Sequence, residues 1–129
     1  PRIKILSSSR EALGIAGEIA YQVPSLPSPN PRAQLPAAEL AKYAAVQLFV
    51  ARARAVKSEF ALSATNALAI AQICFRLDGI PLAIELAAAR IKVFTPEQIA
   101  WQTEGIVLDT TSAPLVLVAP EGLRGFEIR

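Results

Sequence analysis

The 129-residue chain has no histidine and no methionine, and only one cysteine and one tryptophan. Without histidine, the usual general base and the commonest metal ligand are both missing. Ser7, Ser8 and Ser9 therefore have no imidazole to activate them, which argues against nucleophilic catalysis. No metal site is visible. The single cysteine, Cys74, cannot form an intrachain disulfide. It lies in an apolar stretch and reads as core packing, which fits a reducing, cytoplasmic setting. No apolar run reaches the ~18 residues of a membrane span. This holds although 53% of the residues are hydrophobic and the mean hydropathy is +0.39, because much of that content is alanine. Thirteen basic residues against eleven acidic ones leave a net charge of +2. Both signs are scattered along the chain, unlike the clustered basic patch of a nucleic-acid binder. There is no secretory n-region or h-region. The opening "PRIKILSSSR" reads as an interior strand already under way, so residue 1 is taken as a cut edge.

What is present predicts a mainly α fold: a small four-helix bundle preceded by one or two short strands, with an irregular or β-like tail. Residues 3 to 7 are isoleucine-rich and weakly alternating, as in a short strand. A second extended piece ends at Val23. Residues 24 to 36 carry five of the ten prolines. Proline fixes φ and removes donors, so this segment reads as a stiff connector.

Helical signals then dominate from 37 to 102. The first helix, near 37 to 57, places Ala45, Phe49, Ala53 and Val56 on one stripe. The second follows Ser63 as N-cap and sets Ile70, Ile73, Cys74 and Leu77 on one face. Gly79 is placed at the left-handed stop of that helix. The third starts at Pro81, whose missing N–H is harmless at a first helical position. Its body, "LAIELAAAR", is apolar nearly all round, which predicts the most buried helix. The fourth opens on Thr95, Pro96 and Gln98, the pattern of a capping box. Phe94 and Trp101 are expected to close the end of the bundle. After residue 102 the helical period stops, and a strand is possible at 115 to 118.

The corner at Gly79 and Pro81 has a purely structural reading as a tight helix–turn–helix. A DNA-binding helix-turn-helix fails on chemistry, because the helix from Pro81 offers only Glu85 and Arg90 for bases and phosphates. A third reading rests on resemblance. "LDGIPLAIELAAAR" resembles the G-x-P segment of the STAND class of signal-transduction ATPases, which includes the NB-ARC proteins. The likeness is greatest to the bacterial branch found in regulators of the LuxR and antibiotic-regulatory types. "ILSSSREALGIAGE", "YQVPSLP", "AVQLFVARARAV", "FALSATNALAIAQICFRLDG" and "VFTPEQIA" follow in family order, covering about residues 3 to 100.

The resemblance implies an ATP/ADP-binding switch in a transcriptional regulator. Residues 1 to 23 would be the end of a P-loop domain carrying the sensor strand, and 24 to 36 a proline-rich connector. Residues 37 to 102 would form a helical lid, and 103 to 129 an atypical tail. Arg10 would read the terminal phosphate, and Pro81, with Gly79, would lie at the adenine. The partners implied are the nucleotide and the remainder of the P-loop domain, with no direct nucleic-acid contact and no membrane. The phosphate-cradling loop and the acidic magnesium strand are missing from this sequence and are expected upstream, so the chain alone is expected to be inactive as an ATPase. The alternative is a helical protein–protein interaction module that needs no nucleotide.

Overall fold

A computed structural model describes residues 4 to 105 and the backbone of 107–108 and 117–118. Five α-helices dominate: α1 (Ala37–Leu40), α2 (Ala44–Val56), α3 (Ala67–Arg76), α4 (Pro81–Ala89) and α5 (Pro96–Gln102). Short 3-10 turns lie at Pro31–Ala33 and Arg90–Lys92. Two two-residue strands, β1 (Val107–Leu108) and β2 (Leu117–Val118), pair antiparallel. The chain is mainly α, as the sequence predicts.

The predicted strand at 3 to 7 is not there. Of those residues 4 to 7 are described, and they form no ladder, nor does the piece ending at Val23. A strand needs a partner to satisfy its backbone groups, and none among the described residues reaches this segment. Its apolar side chains are correspondingly bare: Ile5, Leu6, Ile19, Tyr21 and Val23 are all exposed.

The expected helix at 37 to 57 is broken into α1 and α2 at residues 41 to 43. The new helix start is capped from elsewhere in the chain. The Ala45 N–H, one of the unpaired donors at the start of α2, donates to the Pro27 carbonyl at 3.2 Å. On the other side of the break, the Gln47 side-chain amide donates to the Ala41 carbonyl at 2.9 Å. Ser63 does not cap α3. Its hydroxyl meets Thr65 instead, and the Asn66 side chain closes the loop through the Ser63 N–H and the Ala61 carbonyl.

The core is built from the predicted stripes. Ala45, Phe49 and Ala53 of α2 meet Ile70, Ile73, Cys74 and Leu77 of α3, with Ile84 of α4 and Ile99 of α5. Val56, expected on the same stripe, is exposed at the last position of α2. Phe49 and Phe60 pack edge to face, with ring centroids 6.2 Å apart. α5 begins on the predicted capping box, both of whose bonds form between Thr95 and Gln98.

Two expectations fail on burial. α3, not α4, is the most buried helix: six of its ten residues are buried, against three of nine in α4. The second face of α4 meets nothing among the described residues, leaving Leu82 and Leu86 exposed. Trp101 does not close the bundle either, being 74% exposed. Phe94 does pack on the core, with the Arg90 guanidinium 5.2 Å from its ring centroid.

The Gly79–Pro81 corner, a candidate site

The corner is set by how α3 ends. The Asp78 N–H donates to the Phe75 carbonyl at 3.0 Å and the Gly79 N–H to the Cys74 carbonyl at 3.2 Å, the paired bonds of a Schellman stop. The left-handed stop residue in this motif is Asp78, with φ 52°, so the predicted assignment to Gly79 moves by one residue. A short polar side chain tolerates that conformation. Gly79 follows it with φ 65°.

Glycine is needed at 79 for a further reason. A Cβ there would stand 2.0 Å from the Leu26 carbonyl oxygen and 3.0 Å from the Ser28 hydroxyl. The proline-rich segment lies directly on this residue. The Leu26 N–H donates to the Gly79 carbonyl at 2.9 Å. The Ser28 hydroxyl lies 3.3 Å from the carbonyls of both Cys74 and Leu26. Pro29 is fully buried. Sequence reasoning saw only stiffness here. The available signal was Leu26, an apolar side chain set between Pro24 and Pro27, which packs against the core.

Beyond the seat, the Ile80 N–H donates to the Leu77 carbonyl, and Pro81 opens α4 at its first position. Gly79 is buried, whereas Pro81 and Leu82 are exposed. The ring of Pro81 is thus presented outward from a corner that is bonded on its inner side. The apolar face of α4 continues outward through Leu82, Leu86 and Ala89, one helical stripe with no cover among the described residues.

Arg10 lies apart, in an exposed bend. It forms no ion pair with Glu11 or Glu18 among the described residues. Glu18 is otherwise engaged. Its carboxylate accepts the N–H groups of Leu13 at 2.8 Å and Gly14 at 2.7 Å. The Leu13 bond, more than the Gly14 one, lowers the Glu18 pKa from its ordinary value. No hydrogen bond or ion pair joins Arg10 to the corner. A separate cleft of about 400 Å3 is lined by Lys57, Phe60, Ile91, Lys92 and Phe94 among others, and contains none of Arg10, Gly79 and Pro81. Among the described residues, no helix is long and apolar enough to cross a membrane.

Comparison with known proteins places the chain beside mycobacterial sequences. An uncharacterised protein of Mycobacterium tuberculosis is 46% identical over 99 residues, 77% of this chain and 22% of the relative. A second M. tuberculosis protein, named "Putative HTH-type transcriptional regulator", is 44% identical over 100 residues, 78% of this chain and 10% of the relative. A Mycobacterium bovis protein of the same name matches equally. The chain therefore corresponds to about a fifth or a tenth of the length of these relatives. No family model and no solved structure matches it.

Proposed function

We propose that this chain is the helical-lid portion of an ATP/ADP-binding switch of the STAND type, within a transcriptional regulator. The observation that carries the reading is the corner itself. Pro81 is exposed at the start of α4 while the residues before it are held by the α3 stop and by Leu26. A proline ring is flat, apolar and free of an N–H, so it can lie on a base without leaving a donor unpaired. Gly79 gives the turn its backbone path. Arg10, exposed and without an ion pair among the described residues, is available as a bidentate donor to a terminal phosphate. The regulator context is supported by relatives that carry a regulator name.

This chain has no loop to cradle phosphates, so alone it should bind nucleotide at millimolar affinity or weaker and should not turn it over. The reading is tested by titrating ADP calorimetrically into the full-length protein that carries this chain. Saturable binding below millimolar is expected, and its absence would sink the nucleotide assignment.

The uncovered stripe of Leu82, Leu86 and Ala89, with Val93 and Trp101 also exposed, supports a second reading. In it the bundle is a nucleotide-independent interaction module, and the bare face of α4 is a protein contact.

A further inference from the structure

The cleft that excludes Arg10, Gly79 and Pro81 has a chemistry of its own. Its volume, about 400 Å3, lies within the range of small-molecule sites. Phe60 and Ile91, both buried, and half-buried Phe94 supply apolar lining. Lys57 and Lys92 line it as well, and neither is ion-paired among the described residues. The one acidic lining residue, Glu59, accepts the Ser58 hydroxyl at 3.3 Å. Two lysines against one glutamate leave one excess positive charge beside an apolar surface.

The walls are fixed from behind. On one side the Phe60 carbonyl accepts Nε of Arg54 at 3.0 Å, and the Ala61 carbonyl accepts the Asn66 side-chain amide at 2.9 Å. The Phe60 ring is held edge to face by Phe49. On the other side the Phe94 N–H donates to the Arg90 carbonyl at 2.8 Å, and Thr95 is tied into its capping box. The Thr95 hydroxyl accepts the Gln98 N–H and keeps its own proton to donate. A ligand entering such a preformed cleft has little to order.

We propose that this cleft binds a small aromatic carboxylate, its ring against Phe60, Ile91 and Phe94 and its carboxylate at Lys57 and Lys92. A neutral ring would gain only the apolar contact, and an inorganic anion only the charge. A molecule that carries both uses both, and its single charge matches the excess of one. The site shares no lining residue with the Gly79–Pro81 corner, so it stands apart from the nucleotide reading.

The test is an amide NMR titration of the 129-residue chain with 1-naphthoate. Two controls separate the contributions: 1-naphthalenemethanol has the ring without the charge, and acetate the charge without the ring. Saturable shifts in the millimolar range or tighter are expected for 1-naphthoate, centred on residues 57 to 61 and 91 to 95. Both controls should bind about tenfold more weakly or not at all. Lys57→Gln combined with Lys92→Gln should weaken 1-naphthoate about tenfold and leave 1-naphthalenemethanol unchanged. Both lysines are exposed, so the double variant should fold, and unchanged amide positions for Ile70 and Ile84 would show that it has. Absence of saturation, equal binding of the neutral alcohol, or an unchanged affinity in the double variant overturns the site. Shifts centred on Leu82 and Leu86 instead would place the ring on the bare face of α4 and overturn it too.

Discussion

Arg52 of α2 and Glu85 of α4 are joined across the bundle: Nε and Nη2 of the guanidinium lie 3.2 and 3.0 Å from the same carboxylate oxygen. Both side chains are well exposed, at 55% and 36%. Exposed pairs of this kind contribute about 0–1 kcal/mol. Apolar packing behind the pair, centred on the fully buried Ile84, has to hold α2 and α4 together. Arg52→Ala should therefore cost under about 1 kcal/mol by urea unfolding. Ile84→Ala should cost about 2–5 kcal/mol, as large-to-small core changes do. Equal losses in the two variants would show that the pair matters more than its exposure allows.

The start of α5 gives a second expectation. Thr95 accepts the Gln98 N–H at 3.3 Å, and the Gln98 side chain accepts the Thr95 N–H at 2.9 Å. Thr95→Ala should lower stability by about 1 kcal/mol, the usual cost of losing an N-cap. Thr95→Ser, which keeps the acceptor, should recover most of it. If serine is as costly as alanine, the cap is not what holds α5.

That cap was legible in the sequence because its partners are three residues apart. The stripes of α2 and α3 were legible for the same reason, since helical period is local. The break at residues 41 to 43 was not, because the carbonyl that caps α2 comes from Pro27, eighteen positions before Ala45. The burial of α4 was misread because period cannot show what lies outside a helix. "LAIELAAAR" is apolar on both sides, yet only Ile84, Ala87 and Ala88 are buried, with Ala83 half-buried against the core. At the candidate site, Pro81 was correctly placed at the start of α4. The second constraint on Gly79 depends on a contact with Leu26, 53 residues away, and no local pattern carries it.

Cys74 yields a pH prediction. Burial pushes its thiol up from about 9 to about 12. The folded state holds the proton more tightly than the unfolded state, so this contribution is fully present below pH 9. It is lost as pH rises from about 9 through about 12, where the unfolded thiol ionises and the folded one does not. Wild type and Cys74→Ala should therefore have a constant stability difference below pH 9. Above it, the wild type should lose stability faster, as seen by denaturant unfolding at each pH. A difference that stays constant through pH 11 would mean that the thiol is not shielded. Alkylation of native Cys74 at pH 8 should also be far slower than in urea.

The most direct measurement of the central claim is titration of ATP and ADP into the full-length protein as wild type, Arg10→Ala and Pro81→Ala. In the proposed reading Arg10 would contact the γ-phosphate, which only ATP carries. A charge-assisted contact of about 1.5–3 kcal/mol should make the ATP preference fall roughly tenfold or more in Arg10→Ala. Pro81 is assigned to adenine, which both nucleotides share, so Pro81→Ala should weaken both alike and leave the ratio as it was. An unchanged ATP-to-ADP ratio in Arg10→Ala would contradict the switch and favour the interaction module built on the bare face of α4.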